Sequence, residues 1–263
     1  MSINSEVGMV INLPYYRIYL IIGIEIWQYP MINEIVLIIF YFLIFAYSVI
    51  LHEVAHGTMA LWLGDKTAKY AGRLTLNPIS HIDPWLTIAV PILMMVTMGF
   101  AFGGAKPVPY NPYNLRDQKW GPVMVAFAGP GVNIFLAIMF AFIARTVSIP
   151  MADKIDIINL TRSVDWSGIS SVISGSMGKI IYELSIIVIF WNVLLAFFNL
   201  IPIPPLDGSK LLFSIFPLKI ETIALLEQFG FVALLLFIIL FSGLLGFFLN
   251  LMLNFFFGLT GVL

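Results

Sequence analysis

A chain of 263 residues that is 60% hydrophobic and only 10% charged cannot cover itself as a soluble domain does, where about a quarter of residues carry charge. Its mean hydropathy of +1.00, with several runs near or beyond the roughly 20 apolar residues that cross a bilayer, makes it a polytopic membrane protein. A net charge of −1 without a basic cluster excludes a nucleic-acid partner, and the lack of cysteine excludes disulfides and thiolate metal ligands.

In chain order, residues 8–28 form a weak apolar segment with Arg17 near its middle. It reads as a first spanning helix, with an interfacial helix as the other reading. Pro14, Arg17 and Glu25 interrupt it and no basic start precedes it, so a cleaved signal peptide is not expected. Residues 34–63 form a long helix, stopped by Gly64 and Asp65. In the polar stretch 65–83, Gly72-Arg73-Leu74-Thr75-Leu76 alternates in polarity and predicts a short strand. Residues 84–102 are apolar but contain Pro91. In 103–112, Pro107, Pro109 and Pro112 rule out regular helix or a central strand. Residues 120–147 are helical, 148–179 a hydrophilic loop, and 180–201 a spanning helix that ends in Asn199-Leu200-Ile201-Pro202-Ile203-Pro204-Pro205-Leu206-Asp207-Gly208. Residues 220–263 supply one or two more helices, broken at Ser242-Gly243.

The fold class expected is therefore all-α, with about five to six transmembrane helices, a short β-hairpin or strand region and a re-entrant segment near the site. Residues 1–263 form one integral membrane domain, its core at about 34–216. Sidedness follows from lysine and arginine in short loops. Lys66, Lys69 and Arg73, then Lys106, Arg116 and Lys119, then Lys210 and Lys219 mark cytoplasmic faces. Lys154, Arg162 and Lys179 are balanced by Asp153, Asp156 and Asp165, which puts 148–179 outside. Both ends of 84–102 then lie in the cytoplasm, so the segment dips into the membrane and returns.

Within the 34–63 helix lies His52-Glu53-Val54-Ala55-His56-Gly57, which uses two of the three histidines in the chain. Residues i and i+4 share a helix face, so both imidazoles can reach one metal ion. Glu53 lies one step around, placed to act on a water at that metal without ligating it. A satisfied pair of buried histidines is the plainer alternative. A catalytic zinc takes three protein ligands and leaves a position open. Other helix-borne zinc motifs supply a third histidine six residues after the second, but Trp62 stands there. That leaves His81 or Asp207. An isolated aspartate at the end of a spanning helix is costly and functional by default. The prolines before it force non-helical backbone, tolerated at membrane depth only inside protein or beside water. An N-cap for a helix starting at Gly208 is the alternative role for Asp207.

HEVAHG followed by NLIPIPPLDG resembles the site-2 protease family, intramembrane zinc metalloproteases of peptidase family M50, in a compact form without a PDZ or nucleotide-sensing domain. Gly104-Ala105-Lys106-Pro107-Val108-Pro109-Tyr110-Asn111-Pro112, Leu76-Asn77-Pro78, His81-Ile82-Asp83-Pro84 and Ala128-Gly129-Pro130 with Asn133 are similar to that family too. Together they cover most of residues 45–212. The resemblance implies one zinc ion per chain on His52, His56 and Asp207, with Glu53 as catalytic base. It implies a substrate-orienting role for Asn199, eight before Asp207. Asn133 and His81 are further orienting candidates, with a structural loop histidine as the other reading of His81. Gly103-Gly104 stands where many members carry a bulky residue. The implied partners are the lipid bilayer and a transmembrane protein or peptide cleaved within or near its membrane segment. The expected location is the cell membrane, multi-pass, with the site toward the cytoplasm. The 32 residues of 148–179 are too few for a domain of about 50, so regulation is expected from the membrane region or from an adaptor. A transporter or metal permease, or a catalytically silent scaffold, is the alternative function.

Overall fold

A computed structural model describes residues 30–90, 92, 93, 96, 105–216 and 218–262, together with Asn12–Leu13 and Tyr16–Arg17. Helix α1 runs Pro30–Trp62, α2 Thr67–Tyr70, α3 Gly121–Thr146, α4 Met151–Ser163 and α5 Trp166–Ile173. Helix α6 runs Met177–Asn199, α7 Gly208–Ile215, α8 Ile220–Gln228 and α9 Gly230–Phe257. Among the described residues four helices are long and apolar enough to cross a membrane: Glu34–Trp62, Gly121–Thr146, Met177–Asn199 and Gly230–Val262. That is fewer than the five to six expected.

Local chemistry sets the ends. Gly64, at φ 113°, ends α1 in a Schellman turn, its N–H reaching Leu61 C=O at 3.1 Å and the Asp65 N–H reaching Ala60 C=O at 2.9 Å. Asp165 caps α5 and Ser176 caps α6, each side chain accepting an amide of the first turn. Helix α9 contains non-helical φ/ψ at Phe241, directly before the Ser242-Gly243 break expected from the sequence.

Helices α3 and α6 make the most extensive contact, and α1 packs on both. Ala137, Ala141 and Ala144 of α3 are fully buried with Ile186, Ile189 and Val193 of α6. Small side chains let two spanning helices approach closely where lipid offers no hydrophobic drive. Helix α9 is different: Ile239, Leu240 and Phe247 are among many exposed apolar side chains along it, as suits a helix facing acyl chains.

Two expectations are corrected. Gly72–Leu76 is turn and irregular backbone, not a strand. Gly72, at φ 65°, and a 3.0 Å bond from Arg73 N–H to Ala68 C=O reverse the chain after α2, so the alternating polarity reflects a turn. The hydrophilic stretch 148–179 is largely helical, because α4 and α5 bury Ile157, Ile158, Ile169 and Ile173 in the main core, while Asp156 and Asp165 stay exposed. Most of the expected 8–28 helix lies outside the described residues. Within it Asn12–Leu13 pairs with Tyr16–Arg17 as a two-residue antiparallel ladder. Of 84–102, Pro84–Ala89 is π-helical, and the Lys106 N–H donates to His81 C=O at 2.9 Å. The chain that leaves at His81 thus returns to the same place.

Candidate metal centre

The histidines arrive on one face of α1, as the i, i+4 spacing dictates. His52 Nδ1 donates to Asn133 Oδ1 of α3 at 2.5 Å. His56 Nδ1 donates to the Val125 C=O at 2.7 Å. With both Nδ1 protons committed, the two Nε2 atoms are left as acceptors, and both face one carboxylate oxygen. Asp207 Oδ2 lies 3.1 Å from His52 Nε2 and 3.3 Å from His56 Nε2. Among the described residues these three form a group whose ligand atoms all lie within 4.8 Å of one another.

Asp207 reaches them from a turn of prolines. Its backbone is helical at φ −60°, ψ −36°, and its side chain makes no cap hydrogen bond to α7, so the capping role weighed from sequence is not found. Gly208 makes the turn feasible: a Cβ there would fall 2.5 Å from Leu200 C.

The donor set of two imidazole nitrogens and one carboxylate oxygen suits zinc, and three ligands leave the open position of a catalytic site. Gly129 supplies a sharper test of fit. A Cβ at this position would sit 2.6 Å from His52 Nε2 and closer still to His56 Nε2. The α3 backbone therefore clears space on the ligating edge of both rings, as a metal cradle requires.

Behind His52 lies a buried polar network that the sequence reading missed. Asn133 Nδ2 donates to Asn192 Oδ1 at 2.6 Å, and Asn192 Nδ2 donates to Ser48 Oγ at 2.9 Å. Asn133 and Asn192 are both fully buried. An amide in the apolar run around Trp191-Asn192-Val193 was a usable signal, since such polar groups persist in spans only with partners. The Val125 carbonyl carried no signal at all, because every residue has one.

A profile of peptidase family M50 matches residues 40–237. The chain belongs to peptidase family M50. Two curated relatives, both named "Putative zinc metalloprotease", are YwhC of Bacillus subtilis and Rip2 of Mycolicibacterium smegmatis. YwhC is 32% identical over 189 residues, 72% of this chain and 74% of the relative. Rip2 is 30% identical over 161 residues, 61% of this chain and 51% of the relative, so the chain spans about half of Rip2. Rip2 of Mycobacterium tuberculosis is 27% identical over the same length. No solved structure matches this chain. As an M50 member this chain is a membrane zinc metalloprotease, and the His52, His56 and Asp207 group is where a metal fits.

Besides Asn133, three candidate residues make hydrogen bonds outside that group. Glu53 Oε2 accepts the Val108 N–H at 2.9 Å. Asn199 ends α6, its Nδ2 on the Leu195 C=O of its own helix at 2.8 Å. His81 is buried in a 3-10 turn, its Nε2 donating to Thr75 C=O at 2.8 Å, where it secures the 73–81 loop.

Proposed function

We propose that this protease hydrolyses peptide bonds within or near transmembrane segments of membrane-protein substrates, at a site toward the cytoplasmic face. The convergence of His52, His56 and Asp207 from the interior of a spanning helix and from a proline turn carries the reading. In it, the three residues are the zinc ligands and Glu53 is the base. A zinc ion held by these residues would supply the Lewis acidity that polarises a scissile carbonyl and acidifies a water molecule. Glu53 accepts the proton of the attacking water and delivers it to the leaving amine. Asn133 and Val125 hold the two imidazoles in the tautomer that leaves Nε2 free for ligation. Asn199, at the α6 terminus eight residues before Asp207, orients the unwound substrate strand.

The His81–Lys106 backbone contact brings the two ends of the intervening stretch together, which, with the lysine and arginine distribution, supports HEVAHG and Asp207 on the cytoplasmic side. The test uses full-length protein in detergent with a model transmembrane substrate. Wild type should carry about one zinc per chain, as a single three-ligand site implies. H56A and D207A should lose it, and E53Q should keep zinc but stop cleaving. Full cleavage by E53Q would overturn the mechanism.

A further inference from the structure

The Val108 amide is the one hydrogen-bond donor to Glu53 among the described residues, so whatever fixes Val108 fixes the carboxylate. Val108 lies in 105–111, which has no helix or strand and in which Pro107 and Pro109 cannot donate to anything. This backbone is held from outside, and Arg73 is the main tie. Its side chain is buried between two strands of loop. Nη1 donates to the Ser80 C=O and Nη2 to the Lys106 C=O, while none of the ion pairs among the described residues includes Arg73. A guanidinium buried against carbonyl oxygens alone has given up water without gaining a counter-ion. The planar, two-pronged head spans both backbones at once, which an ammonium cannot do.

Two further contacts complete the clamp. Lys106 N–H donates to His81 C=O, anchoring the residue whose carbonyl Arg73 holds. Gly57 lies four residues after Glu53, on the same face of α1. A Cβ on Gly57 would meet Leu74 Cδ2 at 2.6 Å and Val108 Cγ1 at 2.7 Å. The bare helix surface at Gly57 lets the Val108 side chain lie directly on α1, one turn from the carboxylate its amide holds.

We infer that Arg73 is a positioning residue for Glu53: it pins the Lys106–Val108 backbone so that the Val108 N–H holds the carboxylate in one orientation. One carboxylate oxygen is then engaged by the loop and the other is left for proton transfer. The inference rests on the reading of Glu53 as the base.

The test compares zinc-loaded wild type, R73A, R73Q and E53Q in full length, with the same substrate. R73A should keep about one zinc per chain and a KM within about twofold of wild type, while kcat falls on the order of 100-fold, the size expected from displacing a catalytic group by about 1 Å. R73Q, which keeps a donor but reaches one carbonyl, should fall between them, and it decides the matter by the same readouts where R73A does not accumulate. Hydrogen exchange supplies the readout that does not pass through activity. Amide protection across 106–108 should drop in R73A and R73Q while α3 and α6 stay as protected as in wild type. Wild-type kcat in both Arg73 variants, or loss of zinc and of α3 protection along with activity, would overturn the positioning role. If E53Q is inactive and the Arg73 variants are not, the inference alone fails; if E53Q cleaves fully, the reading beneath it fails as well.

Discussion

The two arms of the metal group are built by opposite means. His52 and His56 stand on an unbroken helix, each ring fixed from behind by an acceptor on α3, and their side chains are 7% and 12% exposed. Asp207 stands on a turn with Pro202, Pro204 and Pro205, its side chain 22% exposed, kept in place by short backbone bonds such as Leu206 N–H to Ile203 C=O at 2.9 Å. The proline arm also leans on the C-terminal helices: a Cβ on Gly230 would fall 2.8 Å from the Pro204 backbone, and Lys210 pairs with Glu227. A helix supplies precise spacing but cannot turn a third ligand back toward its own face. A turn can do that, at the cost of relying on neighbours for rigidity.

The contrast can be broken most severely where both arms meet. G129A puts a methyl group against both Nε2 atoms, and zinc affinity should weaken beyond the roughly 100-fold upper range of outer-shell changes. Metal content of purified protein reads this directly; near-wild-type occupancy would mean that α3 can retreat and the cradle is not rigid.

N133A acts on the helix arm alone. Removing the His52 acceptor should weaken zinc by roughly 10–100-fold and, by leaving the buried Asn192 Oδ1 without its donor, cost about 1–3 kcal/mol of stability. A competitive chelator titration and a denaturant series would measure the two effects separately.

G230A acts on the proline arm alone. Overpacking against Pro204 should cost roughly 1–3 kcal/mol, felt as weaker zinc binding in wild-type background and absent once D207A has removed the ligand. Equal loss of exchange protection in 49–57 and 200–208 would show that the arms are not independent.

The smallest effect is expected at the end of the helix arm. Burial would raise the Asp65 carboxyl, but hydrogen bonds from Thr67, Asn114 and Asn111 hold it below the usual range. A folded value below the unfolded one, near 3.9, means that its contribution is complete above about pH 4 and is lost as pH falls through the folded value. Exchange protection of the Thr67 and Asn111 amides should be flat from about pH 7 to 5, drop only below about 4, and show no such step in D65N.

Much of this architecture was readable in advance, and the misses share a cause. The i, i+4 histidines, the glycine stop at Gly64 and the proline-aspartate turn are local signals, each with a backbone reason. The strand expected at 72–76 failed because alternating polarity in five residues fits a turn as well as a pleat. The helices within 148–179 were hidden by their charge, since average polarity says nothing of a few isoleucines that reach a core. Asn192 was visible as a polar group in an apolar run, yet its partners sit 59 and 144 positions away, where no local pattern reports them.

By itself the sequence determined the membrane class and the helix that carries both histidines, and it offered Asp207, in a distant turn, as a candidate third ligand. Those follow from hydropathy, the helical period and the scarcity of other ligating side chains. What only the tertiary structure decided is what surrounds those groups: the Val125 carbonyl behind His56, the Asn133–Asn192–Ser48 network behind His52, the missing Cβ of Gly129, and the loop amide on Glu53. Backbone donors, acceptors and empty volume have no letter in a sequence, and they become specific only when packing brings one particular carbonyl or amide against one particular ring.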